Sequence, residues 1–586
     1  MRMRSNRNHQ ILLLLITAIW FSGCTPEKTP ILKESTGRPA PPPEAIKQWT
    51  GQKFSMFIHF GVYSLAGGMW NGEPVTKGYS EQIRAHGGIP REEYAALAGK
   101  FNPSLWNPDS VALLAKAAGM RSIVITAKHH DGFAMFHTRQ SGFNIVDATP
   151  YKRDLLKELS EACRRHGLRF GVYFSLIDWN FPQALPISDH NSDSIPPEHH
   201  RFNLKQVEEL MTSYGPVSEI WFDMGKPTIR QSTELADLVR RLQPACLVSG
   251  RIWNDQGDFA VMGDNASPDF RMGTLWQTPA SMFHETWGYR SWQTRGNPTE
   301  KATEKIRELV RTVANGGNYL LNIGPEGTGR IVPFEKQVLL EIGNWMSAYG
   351  RTLYESEPLY MQSDPPAFFT RSYPPSRDTG IFHVFIPAGK RSERIDVKGI
   401  RSMVTSCREV TDGRSAREFT MAGTTVTVRS RAGSTTTGPF RILEFRIPEP
   451  LTTLPDHLQS ADDGPIELTL TNGTGYHSYS GPDYYTTRPT LIRMVWSLQS
   501  RSVRDVMPEI AFRAADSGKI LYVSINDQPY ELRLETKGVA DEQNLFHLPI
   551  GNARLQEGLN TVTLRLRDQS NPHRDIGMTG MKILFP

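Results

Sequence analysis

Between about residues 49 and 354, short apolar runs alternate with stretches whose apolar residues recur every three or four positions. The runs fall at 54–60, 122–127, 169–176, 219–222, 247–249 and 319–323. They carry little polar alternation, as expected of strands buried on both faces of a parallel sheet. The stretches between them read as amphipathic helices. Leu155, Leu156, Leu159, Ala162 and Cys163 share one face, and Gly167 supplies the stop. Asn297-Pro298-Thr299-Glu300 is a capped helix start with Pro at the first helical position, and Gly316 closes that helix. No glycine-rich phosphate loop follows the first run. The pattern over 46–355 predicts an α/β domain, a (β/α)8-like barrel rather than an open doubly wound sheet.

Beyond Glu357 the period changes to two, in 381–386 and 424–428, with Gly, Pro and Ser as punctuation. Residues 356–450 therefore read as a β-sandwich. Ile447-Pro448-Glu449-Pro450 and the polar run to Gly464 read as a linker. Alternation resumes in 521–525, at Tyr530, Leu532 and Leu534, and in 559–566, predicting a second β-sandwich over 460–586. Tyr476, Tyr479, Tyr484 and Tyr485 read as lying in a Gly/Ser-rich loop and are candidates for stacking on sugars.

The first residues fit neither pattern. Arg2, Arg4 and Arg7 precede an apolar run from Ile11 to Phe21, too short to span a bilayer, which reads as a signal peptide over 1–23. Phe21-Ser22-Gly23-Cys24 resembles a bacterial lipobox, which would make Cys24 the lipid-bearing first mature residue. Residues 24–45, proline-rich, then form a tether. The expected location is the bacterial cell envelope, on its periplasmic or outer face, with the membrane as a partner through the anchor. The other cysteines, Cys163, Cys246 and Cys407, are far apart and form no disulfide framework. A net charge of +5, dispersed along 586 residues, carries no nucleic-acid footprint.

Candidate chemistry gathers where the barrel runs end. The first run leads into Phe57-Ile58-His59-Phe60-Gly61, the second into Lys128-His129-His130-Asp131-Gly132-Phe133, the third into Tyr173-Phe174-Ser175-Leu176-Ile177-Asp178-Trp179. The fourth, Glu219-Ile220-Trp221-Phe222-Asp223, stops on a carboxylate. The carboxyl ends of barrel strands form the active-site floor, so Asp223 is the candidate reactive group. Arg251, Trp287-Gly288-Tyr289-Arg290 and Asn315-Gly316-Gly317-Asn318-Tyr319-Leu320-Leu321-Asn322-Ile323-Gly324-Pro325 follow. In order and spacing these clusters resemble the α-L-fucosidases of glycoside hydrolase family 29, over about residues 49–355.

The resemblance implies an exo-acting, retaining hydrolase of terminal α-L-fucosides on fucosylated glycans, working by double displacement without cofactor or metal. Asp223 matches the nucleophile. His59, His129 and His130 match residues that hydrogen-bond the fucose hydroxyls, and Tyr173, Trp221 and Arg251 line the same pocket. Trp70 and Glu81 match less closely, because the family's Glu-Trp-Tyr reads Glu81-Gln82-Ile83 here. Trp287 is placed as the wall for the C6 methyl. A rival metal reading of His129-His130-Asp131 lacks further ligand spacing.

The acid/base departs from the pattern. Many members carry Trp-Glu where this chain has Trp276-Gln277, and an amide cannot shuttle the proton. Others use a Thr-Pro-Glu aligned with Ser267-Pro268-Asp269. Two candidates follow: Glu285, before Thr286-Trp287, and Asp269 as runner-up. Two other functions stay open at this point, an α-L-galactosidase of the same family and a glycan-binding lipoprotein with impaired catalysis.

Overall fold

The computed structural model describes residues 39–185, 187, 194–372, 380–389, 394–429, 438–480, 488–566, 576–578 and 580–586. The expected signal peptide, Cys24, most of the tether, Tyr484 and Tyr485 lie outside them.

Eight parallel strands form the first domain: β1 (Phe54–Ile58), β2 (Ser122–Lys128), β3 (Arg169–Ser175), β4 (Val217–Asp223), β5 (Leu247–Val248), β6 (Ala260–Val261), β7 (Trp276–Ala280) and β8 (Asn318–Ile323). Hydrogen bonding runs in the order β5-β4-β3-β2-β1-β8-β7-β6. A parallel bridge between Ser249 and Phe259 joins the two ends, so the sheet closes on itself. This is the expected (β/α)8-like barrel. Strands β6 and β7 were not legible as apolar runs.

Helix α1 (Pro43–Thr50) brings Trp49 to the end of the barrel where the strands start, against Phe259 and Glu219. The outer layer is α2 (Pro108–Ala117), α3 (Leu155–His166), α4 (Pro197–Ser213), α5 (Ile229–Leu242), α6 (Pro298–Ala314) and α7 (Pro333–Tyr349). Local chemistry sets their ends. Asp154 caps α3 by accepting from Lys157 N, and Gly167 at φ 71° ends it in the left-handed region. Asn297 caps α6 with Pro298 at its first position. The five apolar residues expected on the α3 face are all buried.

Among the described residues no α-helix lies between β5 and β6, or between β6 and β7. The C-terminal β-structure covers that side. Arg271–Met272, between β6 and β7, pairs in parallel with Tyr476–His477 and becomes an edge of a C-terminal sheet. Tyr479 packs on Ala260, Met262 and Trp276. Tyr476 and Tyr479 therefore belong to a strand, Thr474–Ser480, rather than to the loop expected from the sequence. Two arginines, Arg271 and Arg493, approach the Tyr476 ring face.

Two antiparallel sandwiches follow the barrel. In the first, Phe382, Val384 and Ile386 on strand Gly380–Pro387 face Ile395, Val397, Val426 and Val428 of the opposing sheet. Phe385 points the other way, and with Phe440 and Ile442 joins the barrel's own core cluster. Arg351 crosses the same boundary to Glu444 at 2.8 Å. The second sandwich packs Trp496, Leu498, Phe512, Leu521 and Val523 at its centre. The three described cysteines are free and buried.

Candidate active site

Side chains alternate along a strand, so Glu219, Trp221 and Asp223 all point into the barrel. Asp223, at the β4 terminus, is 7% exposed. Its Oδ2 accepts from the Tyr173 hydroxyl at 2.8 Å, and its Oδ1 from Arg251 Nη1 at 3.0 Å. Burial pushes the Asp223 carboxyl above its ordinary range, against the Arg251 and Tyr173 bonds that favour the ion. Burial also raises the Tyr173 phenol, so it stays a donor.

The histidines converge on the same space. The His59 ring centroid lies 5.6 Å from those of His129 and Tyr173 and 5.3 Å from that of Trp287. His129 stacks on Tyr173 at 5.5 Å. Burial lowers His59 to about 4, His130 to about 3 and His129 well below 6.5, so the rings are neutral near pH 7. Two tautomers follow from their partners. Asn322 Nδ2 donates to the Trp287 carbonyl at 2.6 Å, which leaves its Oδ1 to accept from His59 Nδ1 at 2.7 Å. Ser175 donates to the Ile177 carbonyl at 2.9 Å, so its Oγ accepts from His130 Nδ1 at 2.8 Å. Both rings therefore carry the proton on Nδ1 and keep Nε2 as an acceptor. Asp131 turns away from them, accepting from Tyr94 OH at 2.6 Å and Phe133 N at 3.2 Å.

Trp287 is held from two sides. Glu81 Oε2 accepts from the backbone N–H groups of Trp287 at 3.2 Å and Gly288 at 2.7 Å. Burial raises the Glu81 carboxyl to about 7. Its place is thus behind the Trp287 wall. Gly324 lets that loop approach β8: a Cβ there would sit 2.7 Å from Tyr289 N. Trp70 lies half-buried in a short hairpin, Met69–Trp70 with Glu73–Pro74.

The two acid/base candidates from the sequence both lie at exposed positions. Glu285 is exposed, its own carbonyl is taken by Arg290, and the charge its carboxylate faces is that arginine. Asp269 is exposed as well. A further carboxylate that sequence reasoning missed, Asp264, shares Arg251 with Asp223. It accepts from Arg251 Nη2 at 2.6 Å, the same guanidinium that binds Asp223. Its charge also acts on His59. Asp264 lies just beyond β6, and the strand-end rule would have found it had that two-residue strand been legible. Asn322 and Ser175 were also missed as the groups that set the histidine tautomers. Gln277 is not at the pocket surface at all: it is fully buried inside the barrel, between Trp221 and Glu219.

Backbone strain gathers here too. Met224, directly after Asp223, has φ 63°, and Trp253, two residues after Arg251, has φ 64°. Such non-glycine conformations cost on the order of 1–3 kcal/mol each. The Trp253 indole donates to the Met224 carbonyl at 3.2 Å, tying the two positions together.

The chain is similar to known proteins in sequence and in fold. The family model described as Alpha-L-fucosidase matches residues 39–351. Tissue alpha-L-fucosidase of Bos taurus is 32% identical over 385 residues, covering 60% of this chain and 79% of that protein. The Homo sapiens tissue enzyme is 29% identical over 403 residues, covering 66% and 85%. The crystal structure of alpha-L-fucosidase from Vibrio sp. strain EJY3 superposes with a TM-score of 0.64 at 25% identity, covering 93% of this chain and 98% of that one. A GH29 alpha-L-fucosidase of Bacteroides thetaiotaomicron, trapped as a covalent intermediate with 2-fluoro-fucosyl fluoride, shares the fold with a TM-score of 0.61 at 24% identity, covering 71% and 97%. The chain belongs to the alpha-L-fucosidase family, the family 29 glycoside hydrolases.

Proposed function

We propose that this protein is an exo-acting, retaining α-L-fucosidase that removes terminal α-L-fucose from glycans through a covalent fucosyl-Asp223 ester. The carrying observation is one guanidinium, Arg251, bound to two carboxylates. Retaining hydrolysis needs a nucleophile and an acid/base about 5–5.5 Å apart. Tyr173 adds a second donor to Asp223, which favours the ion there and suits it to the nucleophile's role.

Asp223 attacks the anomeric carbon as the glycosidic C–O bond breaks, and Asp264 gives its proton to the leaving oxygen. Asp264 then takes a proton from the incoming water, whose oxygen displaces Asp223 and regenerates it. His59 and His130 accept from sugar hydroxyls through Nε2, and Trp287 walls the C6 methyl.

The test is hydrolysis of a nitrophenyl α-L-fucoside, with the matching α-L-galactoside in parallel. Release from the fucoside that collapses in Asp223→Ala upholds the proposal. Preference for the galactoside would reassign the sugar, and no release from either would overturn the enzymatic reading of this site.

The N-terminal reading is likewise a proposal: export to the bacterial envelope with a lipid on Cys24, supported by the arginines, the apolar run and Ser22-Gly23-Cys24. Membrane fractionation of the wild type against Cys24→Ala tests it. Equal membrane retention of both would contradict it.

A further inference from the structure

Below Asp223, the inward side of β4 continues through Trp221 to Glu219. Gln277 reaches both from β7. Its Oε1 accepts from the Trp221 indole N–H at 2.8 Å, and its Nε2 donates to Glu219 Oε2 at 3.2 Å. The same Glu219 oxygen accepts from the Trp49 indole at 3.1 Å. All four side chains are buried. The amide orientation is forced, because only its carbonyl oxygen can take the indole proton. The Trp221 ring lies under the catalytic groups: the Arg251 guanidinium carbon is 5.1 Å from its centroid, and Tyr173 stacks on it at 6.0 Å and 25°. Arg251 and Tyr173 are the two donors to Asp223.

We propose that Gln277 is a positioning residue for the reaction, one that with Glu219 fixes the Trp221 ring beneath Arg251 and Tyr173 and that requires one carboxyl and one amide in this pair. The proposal rests on the reading of Asp223 as nucleophile. No charged partner bonds Glu219 among the described residues, and burial raises its carboxyl to about 7. The titratable group facing it from elsewhere is Cys246, ahead of β5, whose thiol burial pushes up. Arg240 and Asp258, paired at 2.6 Å, act on that thiol. From β3, Gly171 packs against Glu219 with no side chain.

A glutamate at position 277 would face Glu219 across the same bond. The two carboxyls could keep both contacts only by sharing a proton, and at higher pH they would repel. Exchanging the two residues, E219Q with Q277E, restores one carboxyl and one amide to the pair and keeps the acceptor for the Trp221 indole. The carboxylate at position 277 then accepts from Trp221 and from the amide N–H at position 219, while the Trp49 indole, which shared that single Glu219 oxygen, has to turn to the oxygen of the amide.

The experiment measures kcat and KM of the full chain on a nitrophenyl α-L-fucoside from about pH 5 to about pH 8. Wild type, Q277E and the double exchange are compared, with the Trp221 indole ¹⁵N–¹H resonance recorded for each. Q277E should lose kcat by about tenfold or more at the alkaline end, recover toward the acid end, and hold KM nearly constant. The double exchange should return kcat to within about threefold of wild type at every pH. Accumulation of a folded double exchange where Q277E fails to fold would also uphold the proposal. A wild-type profile in Q277E, or a double exchange no better than Q277E, overturns it. If the wild type hydrolyses no fucoside, the reading of the site has failed separately. The indole resonance then decides: displaced in Q277E and restored in the exchange upholds the pair, and an unmoved resonance overturns it.

Discussion

Arg251 binds Asp223 through Nη1 at 3.0 Å and Asp264 through Nη2 at 2.6 Å, so one planar group sets the spacing of two carboxylates. A third bond, from Nη2 to the Met262 carbonyl at 3.0 Å, anchors it to the segment that carries Asp264. Lysine has no second nitrogen at a fixed angle and could not serve both. Arg251→Lys should therefore lower kcat/KM by about a hundredfold or more. Steady-state kinetics check this, and a loss confined to KM would contradict the shared-clamp account.

Asp264→Ala should slow hydrolysis of natural fucosides by about 10²–10⁴-fold and of a nitrophenyl fucoside much less, since that leaving group needs little protonation. Azide should restore turnover and give a fucosyl azide of retained configuration. Glu285→Ala and Asp269→Ala, at exposed positions, should stay within about threefold of wild type. Azide rescue of Glu285→Ala instead would return the role to Glu285.

Tyr173→Phe removes one hydrogen bond to a charged acceptor, worth about 1.5–3 kcal/mol, and should cost about 10–200-fold in kcat. The acid limb of the pH profile should move up, because Asp223 loses a bond that favours its ion. An unmoved limb would contradict the assignment of that limb to Asp223.

Stability should report the buried carboxyl beneath the nucleophile. Glu219 has a folded pKa raised by burial to about 7 from the ordinary 4.5. The folded state then holds a proton that the unfolded chain releases. Its contribution is complete below about pH 4.5 and is lost as pH rises through about 7. The Tm of Glu219→Gln minus that of wild type should grow across this window and level off above it. A difference constant with pH would show that Glu219 is ionised throughout.

The barrel was readable because six of its strands are uninterrupted apolar runs ending in polar clusters. The other two were not. Ala260–Val261 is two residues long, and Trp276-Gln277-Thr278-Pro279-Ala280 mixes polar residues with a proline. No helix separates them to betray the alternation. Asp264 was hidden with them, which is why acid/base candidates were sought at Asp269 and Glu285. The histidines, Tyr173, Arg251 and Trp287 were found through family resemblance. Their tautomers were beyond the sequence, because Asn322 lies 263 residues from His59 and only the closed ring brings them together. Tyr479 looked like a loop tyrosine for the same reason: its partners Met262 and Trp276 belong to the barrel. Tyr479→Ala should therefore lower stability by about 1–3 kcal/mol, read by denaturant unfolding, rather than weaken glycan binding.

The central claim is the covalent role of Asp223. Incubating the full chain with 2-fluoro-fucosyl fluoride and mapping the modified peptide by mass spectrometry tests it most directly. The account predicts time-dependent inactivation with one 2-fluorofucosyl group on Asp223, and no adduct in Asp223→Asn. Inactivation with the sugar on another residue, or turnover of a fucoside by Asp223→Asn at the wild-type rate, would contradict it.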